Sequence, residues 1–169
     1  METDRLYLDL AHSTYAHDLL DAFNSHFVQE YNVLGQMDLQ AYQDFLDLEI
    51  PNSMQLILVS KDTQMPIGSM SLDPDTLRHN ADSLQLSYWI KESFARQGYM
   101  SEALSACLEY LKDSTDLKVI TARVFTSNTA SQHLLEGLGF TLEGTLKHAV
   151  RDNTGIVHDD HLYAYYIDR

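Results

Sequence analysis

Two short stretches place small and polar residues where they can act on a ligand. In residues 87–104, SYWIKESFARQGYMSEAL, Arg96 and Gly98 stand in a loop directly before a helical pattern that opens at Tyr99. The first turn of a helix presents N–H groups without intrahelical partners and a partial positive charge, so it holds a phosphate without basic side chains. Gly98 lets the backbone approach such a ligand closely. The same succession of strand, glycine and helix also builds an ordinary α/β crossover, and this stretch alone leaves both readings open. In residues 125–144, FTSNTASQHLLEGLGFTLEG, Thr129 and Gln132 have the spacing of a capping box, with Asn128 just before them. Each residue here also has a purely structural role: Asn128 as a cap, Ser131 in a first helical turn, Gly139 as a left-handed C-terminal residue.

Other candidates are weaker. His158-Asp159-Asp160-His161 has metal-ligand residue types, but alternate side chains of a strand face opposite ways, so the four cannot converge and no metal is expected. Asp159 is left on one face, where it either holds a substrate amine or pairs within the sheet. Cys107 lies on the apolar stripe of its helix and reads as a small core residue. Glu102 complements the dipole in a first helical turn. Tyr163, Tyr165 and Tyr166 read as core before chemistry, although one hydroxyl could reach a leaving group, and Glu30 reads as solvated helix face before an amine ligand.

These residues need elements to position them. Residues 5–10 alternate polar and apolar, a first strand. Tyr15, Leu19, Phe23, Phe27 and Tyr31 recur every four residues, which predicts one amphipathic helix. Asp38 caps a second helix carrying Leu39, Tyr42, Leu46 and Ile50, ended by Pro51. Residues 55–60 and 67–72 form a hairpin about a polar turn. A strand over 84–90, a helix over 99–112, a strand over 117–125 and a helix over 129–138 follow. Strands over 140–150 and 157–167, joined by a turn at 152–155, close the chain. The last strand is apolar on both faces and therefore interior. This order predicts helices packed on the faces of one twisted mixed sheet.

Composition narrows the partners. The 169 residues suit one domain, 1–169, and 44% hydrophobic with 21% charged residues is an ordinary globular balance. Eleven Lys and Arg against 25 Asp and Glu give a net charge of -14, which repels nucleic acid and anionic membranes and favours a cationic substrate. One cysteine excludes an internal disulfide. With no secretory leader and no apolar run of about 20 residues, the expected compartment is the cytoplasm.

Taken in order, the segments resemble the GCN5-related N-acetyltransferase (GNAT) family, most closely its branch of ribosomal-protein N-terminal acetyltransferases. The resemblance rests on Tyr88-Trp89-Ile90, Gly98-Tyr99-Met100-Ser101, Asn128-x-x-Ser131 and Gly139-Phe140-Thr141-Leu142-Glu143-Gly144. Gly155-x-x-His158-Asp159 followed by Tyr163 also fits. The match is detailed from Ser87 onward. The family's phosphate loop reads Q/R-x-x-G-x-G/A, and here Ala95 stands at the Q/R position and Met100 at the last. Ala95 removes a side chain that would order the loop, with Arg96 one position along to supply charge.

The resemblance implies a single-domain α/β fold: a mixed, mostly antiparallel seven-stranded sheet, flanked by about four helices and splayed at the cofactor site. It implies acetyl-CoA as cosubstrate. The pantetheine arm would bond main chain near Trp89, Ile90 and Lys91, and the pyrophosphate would sit on amides of Arg96, Gln97, Gly98, Tyr99, Met100 and Ser101. Asn128 would hydrogen-bond the pantetheine arm and Ser131 would protonate the leaving thiolate, with water or Asp159 taking the amine proton. Residues 27–35 would shape the acceptor pocket. The expected activity is direct acetyl transfer to a primary amine, most readily a protein N-terminus. A polyamine or aminoglycoside-like acceptor, or a CoA-binding module without catalysis, are the alternatives. A homodimer is compatible with this reading.

Overall fold

Residues 54–60, MQLILVS, are apolar almost without a break, and such a strand must be covered on both faces. The computed structural model describes residues 1–78 and 81–167 and places this run inside a seven-stranded sheet. The strands are β1 (Leu6–Leu10), β2 (Met54–Ser60), β3 (Pro66–Pro74), β4 (Ser83–Ile90), β5 (Val119–Phe125), β6 (Thr141–Arg151) and β7 (Val157–Tyr166). Their spatial order is β1-β2-β3-β4-β5-β7-β6. All neighbours pair antiparallel except β4 and β5, which are parallel and joined through the helix α4, Tyr99–Ser114.

Alternation along β2 sorts its side chains between two cores. Leu56 and Leu58 join Leu104, Cys107 and Leu111 from α4 and Leu135 from the helix Thr129–Gly137. Ile57 and Val59 meet Leu19 and Phe23 of the helix Ala16–Phe23 and Tyr42 and Leu46 of the helix Leu39–Leu46. These helices are α1 (Ala16–Phe23), α2 (His26–Gln29), α3 (Leu39–Leu46), α4 and α5 (Thr129–Gly137). As expected, β7 is interior, with Tyr163 and Ala164 buried on opposite faces. No helix of the described residues is long and apolar enough to cross a membrane.

Two helices differ from the expectation. The single helix read through Tyr15 to Tyr31 is a 3-10 turn at Ser13–Tyr15, then α1, then the short α2. Ser25 is extended and its Oγ accepts from the Val28 amide, which restarts the helix. The Asn24 side chain meanwhile bonds both the carbonyl and the amide of Met37, at 2.7 and 2.9 Å. A four-residue apolar period does not register such polar caps. The second helix starts at Asp38 as read, Oδ1 accepting from the Ala41 amide at 2.8 Å. It stops at Leu46, short of Pro51, where Asp47 turns out to accept from the Ser13 amide at 2.7 Å. Leu48 and Ile50 are thereby left exposed.

Candidate active site

The parallel pair β4–β5 is registered only from Ser83–Val119 to Leu86–Ala122, and beyond it the two strands part. On the other side β4 stays paired with β3 up to Ile90. The Lys91 amide donates to the Ile67 carbonyl at 2.8 Å. Peptide groups of an antiparallel strand alternate in direction, so Trp89 and Lys91 turn theirs toward β3 while Tyr88 and Ile90 turn theirs into the gap. Trp89 lines the cleft with its indole, which packs edge-on against Phe23 at 5.9 Å between centroids.

The gap leads to the N-terminus of α4. Gly98 has φ +82, a conformation that L side chains adopt only under strain, and Arg96 just before it has φ +59. The amides of Tyr99, Met100 and Ser101 open the helix without intrahelical acceptors. The loop lacks a long side chain at Ala95, and Arg5 of the distant N-terminal segment ties it down. Its guanidinium donates to Glu102 at 2.6 Å and to the Gln97 carbonyl at 3.1 Å, and lies 4.1 Å from the Tyr99 ring centroid. Burial raises the Glu102 pKa, but the Thr3 hydroxyl with the Arg5 amide and guanidinium outweigh it and hold the carboxyl below its ordinary range. Glu102 therefore anchors β1 to α4 besides facing the helix dipole. Arg96 is exposed, and its guanidinium makes no ion pair among the described residues.

At the end of β5 the start of α5 faces the gap. The cap is Asn128, whose Oδ1 accepts from the Ser131 amide at 3.1 Å. Thr129 and Gln132 do not form the capping box that their spacing suggests. Asn128 occupies the cap position, and the Gln132 amide donates to the Thr126 carbonyl at 3.0 Å instead. The Ser131 hydroxyl lies 2.6 Å from the Tyr88 hydroxyl. Burial pushes the Tyr88 phenol up to about 12 and the Ser131 contact opposes the rise, so the phenol is protonated at neutral pH. Tyr163 does not line the cleft: its hydroxyl donates to Glu136 at 2.9 Å.

These features line one cleft of about 1580 Å³ that continues over the face carrying α1 and α3. Trp89, Ile90, Arg96, Gly98, Tyr99, Met100, Ser101, Asn128 and Ser131 all contribute to its wall. Lys91, Gln97 and Asp159 do not. Lys91 is spent on β3. The Gln97 amide donates to Ser93 and its carbonyl is held by Arg5. Asp159 pairs within the sheet, binding the Lys147 ammonium at 2.8 Å and the His148 amide at 2.8 Å. Its neighbour Asp160 points to the opposite face, lines the cleft and pairs with Arg123 at 2.7 Å. Asp160 and Tyr88 stand here beside the expected Asp159 and Trp89, and Arg123 and Arg5 join them without any signal in the sequence. Strand alternation flagged that Asp159 and Asp160 differ in face, though not which face the cleft occupies. The described residues hold no cluster of three or more His, Cys, Asp or Glu fit for a metal.

A strand pair splayed beside a capless, glycine-led helix start offers main-chain donors to a pantetheine arm and a diphosphate, the two parts that acetyl-CoA must dock. The sequence matches the model of the acetyltransferase (GNAT) domain over residues 5–141. It is 28% identical over 170 residues to the uncharacterized N-acetyltransferase YoaA of Bacillus subtilis, spanning 97% of this chain and 94% of that one. It is 35% identical over 85 residues to the ribosomal-protein-serine acetyltransferase of Escherichia coli, spanning 50% of this chain and 46% of that one. Among solved structures, RimL, a ribosomal L7/L12 α-N-protein acetyltransferase in complex with coenzyme A, superposes with a TM-score of 0.86 at 22% identity, covering 98% and 96% of the two chains. The microcin C7 self-immunity acetyltransferase MccE, in complex with acetyl-CoA and AMP, superposes with 0.85 at 20% identity, covering 98% and 94%. The last two likenesses establish shared architecture and leave the acceptor open. By the domain match over most of its length, the chain belongs to the GNAT family of acetyl-CoA-dependent acetyltransferases.

Proposed function

We propose that the acceptor is the N-terminal amine of a protein, of the kind that ribosomal-protein acetyltransferases modify. The observation that carries this reading is the mouth of the cleft. Glu30, Asp47 and Glu49 stand there beside the exposed Leu34, Leu48 and Ile50. Carboxylates draw in a cationic acceptor, and apolar side chains give a polypeptide surface to rest on that a small polyhydroxylated amine does not need. The local identity to the Escherichia coli ribosomal-protein-serine enzyme supports the same acceptor class.

Acetyl-CoA supplies the activated acetyl thioester. In this reading the residues around the gap do the rest. The free peptide groups of Tyr88 and Ile90 and the Asn128 side-chain amide, whose nitrogen makes no hydrogen bond among the described residues, hold the pantetheine arm. The amides opening α4 receive the diphosphate, with Arg96 above them. As the amine nitrogen bonds the acetyl carbon and the carbon–sulfur bond breaks, Ser131 gives its proton to the sulfur, Tyr88 restores the Ser131 proton, and solvent returns the proton to Tyr88. A positioned acid is worth about 10²–10⁴-fold. An α-amine has a reference pKa of about 7.7–8.0, so a useful fraction is already neutral and water can take its second proton.

The test is release of CoA thiol from acetyl-CoA with a panel of peptides bearing free N-termini and a panel of polyamines and aminoglycosides. Turnover of the basic peptides, falling as ionic strength rises, is the expected result. Turnover confined to polyamines or drug-like amines overturns the protein acceptor.

A further inference from the structure

Resting on that reading, we propose that Asp160 and Arg123 form the subsite that grips the first residue of the acceptor. Asp160 accepts a hydrogen bond from the attacking amine, and Arg123 donates to the carbonyl adjacent to it. Asp160 is 3% exposed, yet it borders the cleft. Its Oδ2 takes both contacts from Arg123, Nε at 2.9 Å and Nη2 at 2.7 Å. Its Oδ1 is buried and has no hydrogen-bond partner among the described residues. A carboxylate oxygen in that state is costly unless a donor arrives, and the attacking amine is such a donor. In this proposal the carboxylate turns about its soft terminal torsion to present Oδ1 to the amine as the acceptor arrives.

The scaffold behind the pair is built to hold it. Opposite Asp160, β6 slips register between Leu146 and Val150, and His148 takes φ +52. Asp159 binds the Lys147 ammonium and the His148 amide and so fixes this bulge. The bulge carries the Ala149 carbonyl, which accepts from Arg123 Nη2 at 3.4 Å. Bulges of this sort recur beside active sites, where they re-aim side chains. Arg123 Nη1 makes no hydrogen bond among the described residues. Its donors suit a carbonyl or carboxylate oxygen. Phe125, in register with Asp160, stacks on His158 at 4.5 Å and meets Tyr31 edge-on at 6.1 Å, which gives the subsite an aromatic wall.

An α-amine followed by a peptide carbonyl satisfies both side chains at once. A polyamine offers nothing to Arg123 and sets a second ammonium against its guanidinium. The subsite thus selects α-amines over alkyl amines of the same charge.

The experiment compares steady-state acetylation of a short basic peptide and of an alkylamine of matched size that lacks the carbonyl, using the full-length protein and the variants Asp160→Asn and Arg123→Lys. The unaltered protein is expected to prefer the peptide by about tenfold or more in kcat/KM. Asp160→Asn, which keeps shape but loses charge, should raise the peptide KM about tenfold while the KM for acetyl-CoA stays within about twofold. Arg123→Lys, which keeps the ion pair but loses the planar donors, should cut the peptide-to-alkylamine ratio about fivefold. Equal turnover of peptide and alkylamine by the unaltered protein overturns the subsite without any variant having to fold. A peptide KM unchanged in a folded Asp160→Asn also overturns it, and leaves the protein acceptor standing. Turnover of polyamines alone overturns the protein acceptor and the subsite together.

Discussion

The two halves of the cleft are made of different materials. The half proposed for the cofactor, from β4 through α4 to the start of α5, presents mainly backbone: unpaired peptide groups at the splay, free amides at a helix start, a glycine at φ +82 and an asparagine cap. Its geometry follows from residues within a turn or two of each other. The half proposed for the acceptor presents side chains delivered by segments far apart in the chain, from Glu30 and Tyr31 after α2 to Asp47 and Glu49 after α3 and Asp160 on β7. A backbone site tolerates variation in side chains and suits a cosubstrate that never changes. A site of side chains can be re-tuned for a new acceptor without touching the first half.

That contrast can be broken at the junction and within each half. Ser131 stands at the junction. Ser131→Ala should lower kcat about 10²-fold while the CoA Kd and melting temperature stay near their original values. Full turnover in the folded variant removes Ser131 from proton transfer. Within the cofactor half, Gly98→Val should be the most damaging single change. An L side chain at this φ costs roughly 1–2 kcal/mol, and a Cβ would sit 3.4 Å from Arg5 Nη2. CoA titration calorimetry should show a Kd raised about tenfold, and an unchanged Kd would show that the loop does not need this conformation. Arg96→Ala should raise the CoA Kd only about threefold, with the loss fading in high salt because an exposed charge is screened. Superimposable titrations for variant and parent would leave the loop to its amides alone.

The smallest effect belongs to acid. Asp159 is held below the usual carboxylate range by Lys147 and the His148 amide, and Asp152 by His158 and then Thr154. Both pKa values are lower in the folded than in the unfolded chain, where an aspartate titrates near about 3.9. Their contribution is therefore complete above that value and is lost as pH falls through the folded values. Amide exchange should show the β6–β7 hairpin loosening below about pH 4, before the β2–β3 hairpin does. Simultaneous loosening of both would deny these carboxylates a local role.

Much of the local geometry along β4, α4 and α5 was legible in the sequence. Gly98 before Tyr99 and Asn128 three residues before Ser131 are local signals, because a helix start is decided by the few residues around it. Alternation in the last strand likewise separated Asp159 from Asp160. The long helix read through Tyr15 to Tyr31 failed because Ser25 caps a new turn there, and Asn24 is drawn away to Met37, thirteen positions on.

The amino-acid sequence by itself determined the succession of strands, the parallel crossover, the glycine-led start of α4 and the family. All of these depend on periodicity and on short-range backbone geometry. Only the tertiary structure decided which of two adjacent aspartates faces the cleft, that Tyr88 meets Ser131 at 2.6 Å, and that Arg5, 97 positions before Glu102, ties down the loop that precedes α4. Those outcomes turn on strand order, on a bulge in β6 and on which face of the sheet each helix covers. Contacts of that range are set by how the elements pack together, and no pattern confined to neighbouring residues carries them.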